Sequence, residues 1–544
     1  MTAFHHSIQA RTPVILVQIL AKLLSSQSSD GSWGPKNCAE TTSYAILAVV
    51  AIASLPYIQG LEMEIKHALE RGHEALSLMK DGWAKPHSLW IGKLDYGSKI
   101  LSEAYSLVAM KKLCAASYDA DHTRNDTAVR EKVLGFSKLF SSMDHLRTQS
   151  LAVIKSSILE GVFYRPFLQA KRTDIFPQTN TTGKDRYLDY IPIMWTLPNT
   201  CKQIFQSPEY LLDMMVLSMW IFLVDEYMES NVANFTADEF FLLRSSLEKI
   251  HPENETSRNI SFPGFLHRSS INGNSHDGTT DSSPKRSSDR LNAAISVFFS
   301  FATTVMTYPN VLHASPTDLL DLRYETKNYL LHHLTQLEDN IRFSSQLPSQ
   351  TTALSPTQDP TSTPKAFLTR RAPYSTWLHT TGTGHVSGPF SFAFLLCTLS
   401  STVRSPLGGH NHDCFTTPRQ KLIAYSMNSH LGSFCRVYND YGSVARDAEE
   451  GNINSLNFPE FFPLGLDGEG LGREGGVEAA KKLLLEAGVY ERESAMAEAE
   501  QLYQHLEEEG EEGQIIARRI QVYVGGCEQF SDMYLTRDVT NRVK

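Results

Sequence analysis

The chain lacks any CxxC pair. Its seven cysteines (Cys38, Cys114, Cys201, Cys397, Cys414, Cys435 and Cys527) are scattered and odd in number. That argues against a disulfide framework and for a reduced, cytoplasmic setting. No dense Lys/Arg block occurs and the formal charge is −10, which argues against nucleic acid as the main partner. The N-terminus has no signal-peptide pattern. The longest apolar run, Tyr44 to Ile58, contains a proline and falls short of the ~20 residues a transmembrane helix needs. It reads as a buried helix of a soluble protein. "GGHNHDC" (Gly408 to Cys414) offers two His, an Asp and a Cys, but no second ligand group stands at zinc-like spacing, so it reads as a polar loop. Strand-like alternation bounded by turns is also scarce.

What is present is helical. The 544 residues are 41 % hydrophobic and 10 % aromatic, enough for one large core or two. "ALERGHEALSLM", "SEAYSLVAMKKL", "SPEYLLDMMVLSMWIFLVDEYM" and "LRYETKNYLLHHLTQLEDNI" repeat apolar residues at three- and four-residue steps. The expected class is all-α. Two polar stretches, 269–289 and 344–364, are too poor in apolar residues to pack and are expected as flexible insertions. A glycine-rich connector, Gly465 to Gly476, leads into a charged amphipathic helix. A boundary is expected near residue 145, giving units 1–145 and 146–544.

Two segments carry chemistry. "WIFLVDEYMES" (Trp220 to Ser230) ends a hydrophobic helix in Asp225, Glu226 and Glu229. Asp225 and Glu229 are four apart and share a helix face, where their mutual repulsion favours a hard cation. "RVYNDYGSVARD" (Arg436 to Asp447) places Asn439, Ser443 and Asp447 at i, i+4 and i+8. On a helix these oxygen donors form a stripe roughly 12 Å long, at ~1.5 Å per residue. Arg436 and Arg446 flank the stripe, and a guanidinium fork suits phosphate oxygens.

A DExxE segment followed by an NDxxSxxxE-type segment resembles the class I terpene synthases. "LEGVFYRPFLQAKRTDIFP", "DRYLDYIPIMWT", "LDMMVLSMWIFLVDEYMES", "WLHTTGTGHVSGPFSFAFLLC" and "RVYNDYGSVARDAEEGNINSLNFPEF" are similar, in order and content, to the C-terminal class I half of fungal bifunctional copalyl diphosphate/kaurene synthases. The likeness runs from about Ile158 to Phe461 and continues weakly to the end. "QSSDGSWG" (Gln27 to Gly34) resembles the QW-type repeat of terpene cyclases, in which Gln and Trp tie helix ends together. Two departures stand out. The class II DxDD acid is absent, "YDADH" (Tyr118 to His122) being the nearest string, and the chain is expected to begin after the place of that motif. Asp447 stands where the family has Glu, one methylene longer.

The resemblance implies a class I helical bundle preceded by a partial, class II-inactive helical barrel domain. It implies three Mg²⁺ ions, two held by Asp225, Glu229 and Glu226 and one by Asn439, Ser443 and Asp447, with Arg436 and Arg446 on the diphosphate. Trp195, Phe222, Tyr308, Phe390 and Phe394 are candidates to face a carbocation. The glycine-rich segment Thr380 to Phe390 is expected to break a helix at the pocket and bring a carbonyl or His385 near the cation. The implied activity is a diterpene synthase, a lyase acting on a C20 prenyl diphosphate, geranylgeranyl diphosphate directly. One alternative is copalyl diphosphate supplied by a separate class II cyclase. Another is a catalytically decayed helical scaffold, and a third a prenyltransferase, which usually carries two similar Asp-rich motifs. A separate prenyl diphosphate synthase is the other upstream partner this implies.

Overall fold

A computed structural model describes residues 2–35, 38–87, 89–91, 94–115, 127–177, 185–250, 283–346, 366–404, 412–461 and 476–536. Among the described residues the secondary structure is mostly helical. Helices α1 (Thr2–Ser25), α2 (Ala39–Ala53), α3 (Glu62–Leu78), α4 (Lys99–Ala115) and α5 (Thr127–Ser141) come first. A small antiparallel hairpin, β1 (Leu89–Ile91) with β2 (Leu94–Tyr96), interrupts them and is a minor departure from the all-α expectation. Then follow α6 (Leu151–Lys171), α7 (Tyr187–Cys201), α8 (Pro208–Tyr227), α9 (Ala237–Leu247), α10 (Ser283–Met306) and α11 (Pro316–Ser345). The short α12 (Tyr374–Trp377) and α13 (Thr383–His385) lead to α14 (Gly388–Thr402), α15 (Pro418–Glu450), α16 (Gly476–Glu507) and α17 (Glu511–Thr536).

The starts of the helices around the cavity described below are written in the sequence. Ser207-Pro208, Ser315-Pro316 and Thr417-Pro418 open α8, α11 and α15, each hydroxyl accepting a backbone N–H of the first turn while proline takes a position that needs no donor. At α15 the Gln420 side chain closes a capping box. Gly451, at φ 73°, ends α15 in the left-handed conformation that glycine adopts without a Cβ penalty.

Two hydrophobic cores meet on α6 and α7. The smaller gathers Leu20, Trp33, Ile46, Leu69 and Phe140 with Ile158, Ile193 and Leu197. The larger gathers the apolar residues of α8, α10, α11, α14, α15, α16 and α17, with Leu168, Ile191 and Trp195. The boundary expected near residue 145 falls just before α6. In the smaller core Trp33 donates from its indole to the Leu23 carbonyl at 2.7 Å, and Gln27 donates to the Ala68 carbonyl at 2.9 Å. The two side chains thus tie α1 to α3.

The stretch expected as a flexible insertion over 269–289 lies outside the described residues up to 282, and its remainder forms the start of α10. A Ser-Pro start and a polar sequence that leaves Asp289 exposed allow that helix without apolar burial. Most of 344–364, the connector at 465–476 and the "YDADH" string also fall outside the described residues. Among the described residues, no helix is long and apolar enough to cross a membrane.

The packing of these helices makes two positions sensitive. A Cβ on Gly442 of α15 would stand 2.3 Å from the Tyr534 carbonyl oxygen of α17. Backbone cannot yield as a side chain can, so Gly442→Ala should cost about 1–3 kcal/mol and lower the thermal unfolding midpoint. An unchanged midpoint would contradict this close approach. Glu160 of α6 is fully buried, and neither carboxyl oxygen has a hydrogen-bond partner among the described residues. Burial pushes its pKa up to about 8. The folded protein keeps the proton up to that pH, whereas the unfolded chain releases it near the ordinary value of 4.5. Stability conferred by this group therefore falls as pH rises between the two values. Glu160→Gln should stabilise the protein by roughly 4–5 kcal/mol near pH 8, with the gain vanishing toward pH 4.5. Denaturant titrations across that range check it; a gain independent of pH would refute it.

Candidate active site

One cavity of about 770 Å³ opens among α7, α8, α11, α13, α14, α15 and α17. That lies within the range of roughly 300–1,000 Å³ common for small-molecule sites. One end is polar and the other largely aromatic.

From α8 come Asp225, Glu226 and Glu229, all on the cavity wall. The α-helix ends at Tyr227 and a π-helical turn, Met228–Val232, carries Glu229. The wider turn keeps residues four apart on nearly the same side, and such turns recur at functional sites. Arg172, buried at the end of α6, pairs with Glu226 at 3.4 Å and with Asp185 at 3.2 Å. Arg172 thus ties Glu226 to the end of α6.

From α15 come Arg436, Asn439, Arg446 and Asp447. Ser443 is fully buried and stands behind the wall, where its hydroxyl donates to Asp447 Oδ2 at 2.5 Å. Asn454 donates to the same oxygen at 2.8 Å and to the Asp440 carbonyl at 2.7 Å. Burial, then the charge of Asp440, raises the Asp447 pKa to about 6, while Arg446, Ser443 and Asn454 pull it back. Arg446 Nη2 lies 3.6 Å from Asp447 Oδ1, at the rim. The shorter side chain at 447 is drawn toward the wall by two donors, yet it still lines the cavity.

Arg436 is held on every side. Its Nε donates to Asp440 Oδ2 at 3.1 Å and Nη2 to the Ile453 carbonyl at 3.1 Å. Its guanidinium stacks over Trp377 at 4.8 Å, and Nη1 lies 3.2 Å from His385 Nδ1. Asp440 also accepts from the Ser455 backbone N–H (2.8 Å) and hydroxyl (2.7 Å), which folds the chain after Gly451 back against α15.

Trp195 and Phe222 line the aromatic end with Tyr187, Tyr329, Tyr523 and Phe530. Tyr187 stacks on Phe222 at 5.4 Å and 8°. Phe390, expected on the wall, stands behind it: it stacks on Tyr329 at 5.0 Å and 7°, and Tyr329 faces the cavity in its place. Tyr308 and Phe394 pack with Trp220 in the core, where the Tyr308 hydroxyl donates to Asp213 at 2.6 Å. His333 and His385 join the polar end with ring centroids 4.4 Å apart. Burial holds the His333 pKa down at about 3 and that of His385 well below its ordinary value.

The donors that α8, the turn after it and α15 present to the cavity are carboxylate and amide oxygens, a hard set that suits Mg²⁺. Two guanidinium groups stand beside them, and an aromatic chamber opens beyond.

A pimaradiene synthase of Emericella nidulans is 32% identical to this chain over 461 residues, 84% of this chain and 45% of that protein. The chain is thus similar to fungal diterpene synthases over most of its length. An ent-kaur-16-ene synthase of Fusarium fujikuroi is 29% identical over 504 residues, 90% of this chain and 47% of that one. A bifunctional premutilin synthase of Clitopilus passeckerianus is 24% identical over 513 residues, 93% and 48%. The chain thus spans about half the length of the curated relatives it matches. No protein-family model matches it.

Several residues of this diterpene synthase relative were not singled out by motif: Arg172, His333, Asp440, Asn454 and Trp377. Asp440 is four residues after Arg436, so the helical ion pair was readable; the others act through contacts between distant elements. Asp440→Ala should be severe, because a guanidinium buried without its carboxylate costs about 3–5 kcal/mol. Chemical denaturation measures this, and a loss below 1 kcal/mol, the scale of exposed pairs, would contradict the account.

Proposed function

We propose that this chain is a class I diterpene synthase that ionises a C20 prenyl diphosphate and closes the resulting carbocation into a diterpene. The reading is carried by one observation: a single cavity faces the α8 carboxylates, the α15 stripe and its two arginines, and an aromatic chamber. Asp225 and Glu229, with Glu226, would hold two Mg²⁺ ions; Asn439 and Asp447, with Ser443 behind, would hold a third. Magnesium bound there supplies positive charge that eases departure of the diphosphate. Arg436 and Arg446 bind its oxygens. Pinned by Asp440, Arg436 meets the anion without reorganising. Trp195, Phe222, Tyr187 and Tyr329 offer π-faces to the allylic cation and keep water from it.

Geranylgeranyl diphosphate is the first candidate substrate. A second reading, copalyl diphosphate as the substrate, is favoured by the similarity to relatives named bifunctional.

Purified protein incubated with each diphosphate and Mg²⁺, followed by hydrocarbon analysis, separates the two. Release of diphosphate with a diterpene from geranylgeranyl diphosphate is expected. Asp225→Ala and Asn439→Ala should each slow that release at least ~100-fold, a loss of about 2.7 kcal/mol, with unfolding midpoints close to that of the unmodified protein. If neither substrate is consumed, or the variants match the unmodified protein, the reading fails.

A further inference from the structure

His385 lies where the wall is least regular. A π-helical turn, Leu378–Gly382, runs into α13, and Ser387 then takes φ 66° before α14 begins. Gly384 is wedged so closely that a Cβ there would meet His332 Nδ1 at 1.8 Å. The backbone presenting His385 therefore has little freedom.

Its ring is fixed as well. Arginine has donors and no acceptor, so the 3.2 Å contact with Arg436 Nη1 makes His385 Nδ1 the acceptor. The proton of the neutral imidazole must then sit on Nε2. Arg436 is rigid, since Asp440, the Ile453 carbonyl and the Trp377 face hold it independently of His385. It acts as a fixed template that sets both the tautomer and the plane of the histidine.

What His385 has left to offer is one N–H donor at the polar end of the cavity. A ring nitrogen of His385, a ring nitrogen of His333 and a carboxylate oxygen of Asp225 lie within 4.8 Å of one another. His333 Nδ1 is 3.9 Å from Asp225 Oδ1, and its Nε2, deeply buried, has no partner among the described residues. Such a trio resembles a metal site. The tautomer opposes that use, because a cation on His385 Nε2 would require the proton to move to Nδ1, against the Arg436 N–H. The guanidinium would also repel the ion.

We infer that His385, locked by Arg436 and backed by His333, is a positioning residue that orients the Asp225 carboxylate for its cation, joining the α15 arginine to the α8 acid across the cavity. Neutral imidazoles suit that role because they supply donors to a carboxylate without neutralising it, as partners of metal-ligating groups do. The inference rests on the metal-binding role proposed for Asp225, although its test needs no turnover.

Mn²⁺, visible by electron paramagnetic resonance, is the probe. Binding is measured for the full chain, for His385→Phe and for His385→Gln, whose amide N–H reaches the Nε2 position, with unfolding midpoints recorded alongside. His385→Phe should weaken Mn²⁺ binding 10–100-fold, the usual loss when such a partner is removed, and His385→Gln should recover most of it. Should the Phe variant not fold, His385→Ala takes its place. Equal Mn²⁺ affinity in all forms would overturn the inference. So would failure of Gln to recover binding in a folded variant, or a ¹⁴N coupling in the Mn²⁺ spin-echo spectrum that marks imidazole as a direct ligand. A protein that binds Mn²⁺ with this pattern yet consumes no C20 diphosphate would refute the proposed function and leave the positioning role intact.

Discussion

A guanidinium taken out of water must keep its partners, and the Arg436–Asp440 pair is the constraint from which the polar end of the cavity is built. The two residues are one turn apart on α15, and both are almost wholly buried. Asp440 Oδ2 also accepts from the Ser455 backbone N–H and hydroxyl, and this bends the chain after Gly451 back over the helix. That return brings Asn454 to Asp447, so the same fold that stabilises the arginine also fixes the last carboxylate of the stripe. Arg436 and Asp447 are thus held by one network of hydrogen bonds.

The opposite wall follows a different logic. Helix α8 is apolar on nearly all sides and buried, and its cavity-lining acidic residues come where it gives way to a π-helical turn. Arg172 pairs with Glu226 and Asp185, and Asp225 and Glu229 line the cavity beside them. The irregular wall at α13 and α14 lies between these two charged faces. His385 of α13 contacts Arg436, and His333 of α11 stands beside His385, 3.9 Å from Asp225.

Much of this was legible in the amino-acid sequence, for identifiable reasons. Helical class, and the faces that carry Asp225, Glu229, Asn439 and Asp447, follow from spacing alone, because side chains four apart on a helix share a side. Arg436 and Arg446 were readable as neighbours of that stripe. Aromatic placement was less readable. Phe390 and Tyr329 belong to different helices, and only their packing decides which ring fronts the cavity and which backs it. Ser443 has the right period but turns its hydroxyl to Asp447, since a short side chain at a buried helix contact finds the nearest acceptor. Arg172, Asn454 and His333 escaped notice because their partners lie on other elements, a kind of contact that periodicity does not encode.

The central claim is that α8 and α15 present their oxygen donors to a common set of cations in one cavity. Diffraction from crystals grown with Mn²⁺ and inorganic diphosphate, with anomalous scattering locating the metal, tests it most directly. Mn²⁺ is expected against Asp225 and Glu229 on one side and Asn439 and Asp447 on the other, with diphosphate between them in reach of Arg436. Manganese bound elsewhere, or diphosphate seated away from Arg436, would contradict it.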